Sequence, residues 1–336
     1  MSRRSLATVA LAAALLLTGC GGKDAPGPSA SPTAGRGEAA SPTGGSPFWV
    51  DPDSDAARQV KEYEKQGRTE DARIMRRIAD RPLAVWPAGD DPGPDVTRAV
   101  KGAAPEGRTV VLVAYNIPHR DCGMYSAGGA RDAGAYRDWV DAFASAVGDA
   151  PAIVILEPDA VPHIVDGCTP AGYHDERLQL LAGAVERFKE QPRTRVYLDA
   201  GNPAWIDTPA KLVEPLRRAG VAKADGFALN VANFQTDAVV RGFGAGLSRL
   251  LGGAHFTVDT SRNGAGPLPG DRADAWCNPP GRALGVPPTD QTGDGLIDAF
   301  LWIKRPGESD GTCRGGPAAG TWWPDYALGL ARRAKN

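Results

Sequence analysis

The sequence predicts an α/β fold in which short parallel strands carry helices on their outer face. Two observations lead there. Short, nearly continuous apolar runs alternate with longer amphipathic ones, and strands buried on both faces produce such runs. The folded part, residues 48–336, amounts to about 290 residues, the size of one (β/α) barrel or one doubly wound sheet.

At the N-terminus, Arg3 and Arg4 precede an apolar stretch (residues 6–17) too short to stay in a bilayer as a spanning helix. Residues 1–19 are therefore expected to be a secretory leader. It runs into LTGC (17–20), which resembles a bacterial lipobox, so that Cys20 becomes the lipidated mature N-terminus. An ordinary leader with an incidental cysteine is the plain alternative. Residues 21–47 contain only Gly, Ala, Pro, Ser, Thr and four charged residues, with nothing large to bury. With Cys20 they are read as a tether, 20–47, leading to one folded domain at 48–336. Export follows, with the protein anchored by lipid on the outer face of the cell membrane, or secreted if the anchor is not used.

The chain carries 38 basic and 40 acidic residues, a net charge of −2 that becomes −4 once Arg3 and Arg4 leave with the leader (36 against 40). No basic face for nucleic acid is indicated. Four cysteines remain beyond Cys20, at 122, 168, 277 and 313, and an exported chain with an even number is expected to form two disulfides. Position alone leaves three pairings open. The cysteines have no CxxC spacing and the four histidines (119, 163, 174, 255) form no close ligand pair, so neither a metal nor another cofactor is expected.

Seven runs read as strands: PLAVW (82–86), TVVLVAY (109–115), AIVILE (152–157), RVYLDA (195–200), DGFALN (225–230), HFTVDT (255–260) and DAFLWIK (298–304). Between them, YRDWVDAFASAV (136–147) and ERLQLLAGAVERFKE (176–190) read as helices. A barrel and a doubly wound sheet both gather the residues just past the C-terminal strand ends at one mouth. Asp121 follows the second strand, Glu157 and Asp159 end the third, Asp199 the fourth and Asp259 the sixth. Lys304, Glu308 and Asp310 follow the seventh. One such acid is usually a cap or an Asx turn, and Asp259, followed by Thr260, Ser261 and Arg262, suits that reading best. Several together can set one another's pKa values apart, as glycoside hydrolysis requires. Indoles near the same ends, Trp86, Trp205 and Trp276, suit the flat faces of sugar rings, whereas Trp139 and Trp302 read as core.

The ordered stretches YNIPHRDCGMYSAGG (115–129), LEPDA (156–160), YLDAGNPAW (197–205), ALNVANF (228–234), VDTSRNG (258–264), WCNPPGRALG (276–285) and FLWIKRPGESDG (300–311) resemble the motif series of glycoside hydrolase family 6, the inverting cellulases. The resemblance runs from about residue 82 to the C-terminus. It implies a distorted barrel of parallel strands and hydrolysis of β-1,4-glucosidic bonds in cellulose or a related β-glucan, with inversion. It makes Asp159 the general acid, Asp121 the neighbour that raises the acid's pKa and relays a proton through water, and Asp310 the proposed general base. Tyr115 then stands beside the distorted sugar. Arg120 and Ser126 share its loop, Lys304 and Glu308 hold sugar hydroxyls, and Trp86, Trp205 and Trp276 form aromatic subsites. Asn233 is expected to position Asp159 or the substrate, and Glu157 to be structural. The same resemblance pairs Cys122 with Cys168 and Cys277 with Cys313.

Asn202 departs from the pattern, standing where many members have a histidine that contacts sugar, so affinity near that subsite is expected to differ. The tether leads straight to Cys20 with no carbohydrate-binding module, which suggests a cell-bound enzyme trimming soluble or partly degraded β-glucan. Only 11 residues (265–275) separate VDTSRNG from WCNPPG, little room for a tunnel-forming insertion. An open cleft and endo action are therefore expected, with an exo-acting cellobiohydrolase of the same family as one alternative. The rival from another class is a sugar-binding lipoprotein of a transport system, which needs no acid and base flanking a bond. A metal hydrolase would show HExxH, which does not occur, and the one GxSxG spelling, GESDG (307–311), does not lie between a strand run and a helical run as a serine hydrolase's elbow would. A monomer is the default expectation.

Overall fold

Six parallel strands form one sheet in the order of the chain: β1 (Val110–Ala114), β2 (Ala152–Leu156), β3 (Thr194–Asp199), β4 (Gly226–Leu229), β5 (His255–Asp259) and β6 (Ile297–Leu301). This computed structural model describes residues 46–270 and 274–335. The leader, Cys20 and residues 21–45 of the tether lie outside the described residues.

The period-2 alternation of side chains explains why the strands read as unbroken apolar runs. Val111, Val113, Ile153, Ile155 and Leu301 turn inward to a central cluster, where Tyr197 donates its hydroxyl to Asp298 at 2.7 Å. Val110, Leu112, Val154, Leu156 and Leu198 turn outward. The outer face is covered by α3 (Gly93–Ala103), α4 (Ala133–Val147), α6 (His174–Lys189), α7 (Ala210–Arg218) and α8 (Asp237–Leu250). The two helices read from the sequence are α4 and α6. Each packs one apolar stripe on the sheet, and α4 starts where Asp132 accepts the Ala135 N–H at 2.8 Å. A second outer cluster joins α1 (Asp55–Lys65), α2 (Thr69–Ala79) and α9 (Pro324–Arg332) with Leu83 and Trp302.

Seven strands were expected and, among the described residues, six are formed. The first run, PLAVW, makes only an isolated bridge, Val85 with Leu112. Pro82 and Pro87 lack the N–H groups that would extend a ladder on either side. The bridge still closes the gap between the sheet edges. Val85 exchanges backbone hydrogen bonds with Val111 and Val113 of β1, and Ala84 N–H donates to the Trp302 carbonyl just past β6. The sheet thus curls into a distorted barrel. The last strand is also shorter than its apolar run, because the N–H groups of Ile303 and Lys304 turn to the Asp259 carboxylate.

Candidate active site

A buried strand can end on two acids when each acid has a separate set of partners. At the end of β2, Glu157 (φ +49°) and Asp159 (φ +71°) both adopt left-handed backbone around Pro158, a strained arrangement for non-glycine residues. It sends the two carboxyls to different places. Glu157 is buried and accepts N–H donors from Asn116 and Ile117 at 3.0 Å, fixing the loop that follows β1. Asp159 keeps part of its surface at the mouth, and its own N–H donates to Asp199 at the end of β3 at 2.8 Å.

The loop after β1 brings Asp121 to the same place. One carboxylate oxygen each of Asp121 and Asp159, and a ring nitrogen of His163, all lie within 4.8 Å of one another. Asp121 is held by the Ser126 N–H at 2.6 Å. The loop is braced by Arg120, which donates to the carbonyls of Ser126 and Tyr115 and lies over the Tyr115 ring at 4.7 Å. The Cys122–Cys168 disulfide ties it to the segment after β2, and Cys277–Cys313 ties the Trp276 loop to the segment after β6. Among the described residues, the Asp121–Asp159–His163 group is the set of free side chains whose spacing could hold a metal ion. Carboxyls that share protons account for the same closeness.

Asp310 stands in a contrasting environment. It is buried with Arg262, whose Nη1 donates to it at 2.8 Å, and also accepts the Asn278 N–H at 3.0 Å. The Lys304 ammonium is 3.6 Å away. Arg262 is wholly buried, donates to the Ala232 carbonyl and lies over the Phe234 ring at 4.4 Å.

The aromatic candidates line the mouth. Trp86 donates to the Ile303 carbonyl and meets Tyr115 edge to face at 5.5 Å. Trp205 donates to Asp166 at 2.8 Å. Trp276 faces Tyr125 at 6.0 Å, and the Tyr125 ring packs on Gly311, where a Cβ would come within 2.4 Å of it. Only glycine admits that contact. Glu308 is buried and ion-paired with Arg305 at 2.6 Å.

A family model described as glycosyl hydrolases family 6 matches residues 43–334. The chain belongs to this family. Endoglucanase A of Thermobispora bispora is 42% identical over 296 residues, which are 86% of this chain and 62% of that one. Endoglucanase 1 of Streptomyces halstedii is 41% identical over 291 residues, 83% of this chain and 87% of its own. The endoglucanase Cel6 from Mycobacterium tuberculosis, solved with methyl-cellobiosyl-4-deoxy-4-thio-β-D-cellobioside, aligns with a TM-score of 0.79 at 43% identity, covering 86% of this chain and 97% of that one. The chain therefore spans less than two thirds of the length of the Thermobispora relative.

The geometry bears on two expectations for this family 6 domain, that Asn233 positions Asp159 or the substrate and that affinity differs near Asn202. Asn233 makes no hydrogen bond to Asp159 among the described residues; its Oδ1 accepts from Phe234 N–H and Gln235. Asp159 is positioned by Asp199 instead, because β3 ends beside β2 in the sheet. Asn202 is buried and its Oδ1 accepts from the N–H groups of Ala204 and Trp205, so it shapes the loop under Trp205. Sequence reasoning passed over Arg262 and His163 as site residues. Arg262 carried a signal in VDTSRNG, a charge straight after a buried strand; His163, in an apolar stretch, carried none.

Burial sets the protonation states first. It raises Asp159 well above the usual carboxylate range, helped by Asp199, Asp121 and Asp166 and opposed by Lys304. Burial also raises Asp121, against the Ser126 N–H, His163 and Arg120. Asp310 feels the same burial, but Arg262 and Lys304 outweigh it and hold the carboxyl below its ordinary value. Burial lifts Glu157 and Asp199 to about 7 despite the N–H groups each accepts. A raised carboxyl contributes stability fully present below its unfolded pKa, ~3.9 for Asp and ~4.3 for Glu, and lost as pH rises through the folded value. The melting temperature is therefore expected to be higher at pH 5 than at pH 8. Scanning calorimetry across that range checks this, and a rise toward pH 8 would contradict the assignment.

Proposed function

We propose that this chain is an endo-acting β-1,4-glucanase that hydrolyses with inversion, Asp159 serving as general acid. The observation that carries the reading is the contrast between two carboxyls at one mouth. Asp159 is kept protonated by burial and neighbouring acids, and Asp310 is kept ionised by Arg262. In an inverting reaction the acid protonates the leaving oxygen while a water attacks from the far face of the ring. The names of the relatives support a glucan substrate, as does the sugar complex of the structural neighbour.

A carboxylate held as low as Asp310 is a weak proton acceptor at neutral pH. We assign it the task of orienting the attacking water and holding charge opposite the acid. Asp121, raised and adjacent to Asp159, suits the return of a proton to the acid through water. Tyr115 would lie beside the ring being cleaved, with Arg120 and Ser126 shaping its loop, and Trp86, Trp205 and Trp276 would stack on flanking sugars. Lys304 and Glu308 would hold hydroxyls. Endo action is supported by the short 265–275 segment, of which 271–273 lie outside the described residues.

The test follows viscosity, reducing ends and product anomer together on a soluble β-1,4-glucan. Early loss of viscosity and α-anomeric products are expected. Cellobiose release with viscosity unchanged would move the reading to an exo enzyme, and tight binding without cleavage to a sugar-binding lipoprotein. Cys20, outside the described residues, is proposed as the lipid attachment point on the outer face of the membrane. Cys20→Ser should shift the protein from the membrane fraction to the medium; retention of that variant in the membrane would remove the anchor from the reading.

A further inference from the structure

His163 is a buried titratable group that the mechanism leaves without a task. It is 4% exposed and lies in the short helix α5 (Pro162–Val165), with a ring nitrogen in the group it forms with Asp121 and Asp159. Its Nδ1 is 3.3 Å from Asp166 Oδ2, the same oxygen that accepts the Trp205 indole N–H. The imidazole also meets the Trp205 ring edge to face, centroids 4.8 Å apart. One side chain thus stands within 4.8 Å of the acid pair on one side and meets a sugar-stacking candidate on the other.

The bland reading of a buried histidine is a satisfied core side chain. Here the backbone already makes the local fold: His163 N–H donates to the Asp159 carbonyl at 2.9 Å, and its carbonyl accepts from Thr169 at 2.8 Å. Neither contact uses the ring. What the ring adds is a proton-binding group facing Asp166 at the end of α5, Asp121 after β1, Asp159 after β2 and Arg177 of α6. Arg177 itself binds the carbonyls of Pro118 and His119 under the Asp121 loop. Burial pushes His163 below the usual histidine range, opposed by Asp166 and Asp121 and helped by Arg177. A neutral ring that gives its one N–H to Asp166 keeps the other nitrogen as an acceptor.

We propose that His163 is a positioning residue for the acid: neutral, it holds Asp121 and Asp159 in place against the Trp205 wall, and on taking a proton from solvent it disables them. A cation beside Asp159 favours its ionised form, so the acid gives its proton to water and can no longer give it to the leaving oxygen. This inference rests on the glucanase reading above.

The experiment compares kcat/KM against pH for the wild type, His163→Gln and Asp166→Asn, beside a proton NMR titration of the four histidines. Glutamine keeps hydrogen bonding but cannot gain the charge. His163→Gln is expected to lower kcat about tenfold at the optimum, with a smaller change in KM. Its acidic limb should move down by about half a pH unit or more. Asp166→Asn removes a group that raises the pKa of His163, so the limb should move the same way, by less. In the NMR titration the resonance missing from His163→Gln should titrate below ~6.5, the ordinary histidine value, and shift further down in Asp121→Asn. An unchanged kcat and pH profile in His163→Gln would overturn the proposal. Should that variant fail to fold, an Asp166→Asn limb that stays in place would do so. A wild type inactive at every pH would sink the glucanase reading instead, while the titration still tests the coupling of His163 to Asp121.

Discussion

Asp159→Asn is expected to lower kcat/KM on a soluble β-1,4-glucan by about 10²–10⁴-fold, the range a general acid supplies, or about 3–5 kcal/mol of transition-state stabilisation. The fold should survive. Asparagine tolerates the left-handed backbone at this position and keeps the N–H donated to Asp199. It also removes a carboxyl that burial and three acidic neighbours make costly to ionise, so the melting temperature near pH 8 should hold or rise. Two readouts separate loss of the acid from general damage. A dinitrophenyl glycoside, whose leaving oxygen needs no proton, should be cut nearly as fast by the variant as by the wild type. The alkaline limb of the pH profile, which reports deprotonation of Asp159, should vanish. An equal loss on activated and natural substrates would remove Asp159 from the role of acid.

Much of this site could be read in the sequence because strands buried on both faces leave little freedom in where their last residues go. Once β2 was placed as an apolar run, Glu157 and Asp159 had to lie at its C-terminal end, and the motif order aligned Asp121 and Asp310 with the same mouth. What the linear pattern could not supply is which strand ends are neighbours. Asp159 depends on Asp199 because β2 and β3 pair in register, Leu156 opposite Leu198. Likewise, the wholly buried Asp259 gathers the N–H groups of Ala232, Ser261 and Lys304 because β4, β5 and β6 end side by side. That arrangement agrees with the structural reading of Asp259. The missing seventh strand has a local cause that was visible, two prolines bracketing four apolar residues. Its closing role was not visible, because the Ala84 bond to Trp302 joins residues more than two hundred positions apart.

Arg262→Met should cost about 3–5 kcal/mol of stability at pH 7, the penalty for stranding a buried charge. Methionine fills much of the arginine stem's space beside Phe234, so the loss reports the missing charge more than a cavity. Asp310 would keep only the Asn278 N–H and the ammonium of Lys304 at 3.6 Å. The pH dependence follows from the sign of the shift. In the wild type the Asp310 pKa is depressed, so its contribution is present above the unfolded value of ~3.9 and is lost as pH falls through the folded one. Without Arg262 burial dominates and raises that pKa, and the contribution is then lost as pH rises. The penalty should therefore be largest at neutral pH and shrink below pH ~4, as urea midpoints at the two pH values would register. Adding Asp310→Asn to Arg262→Met should recover part of the stability but no activity, since it removes the stranded charge and the water-orienting carboxylate together. A loss under ~1 kcal/mol at pH 7, the worth of a solvent-exposed pair, would mean that Asp310 stays ionised without Arg262. In that case Lys304, which also acts on Asp159, would be the cation that separates the two carboxyls.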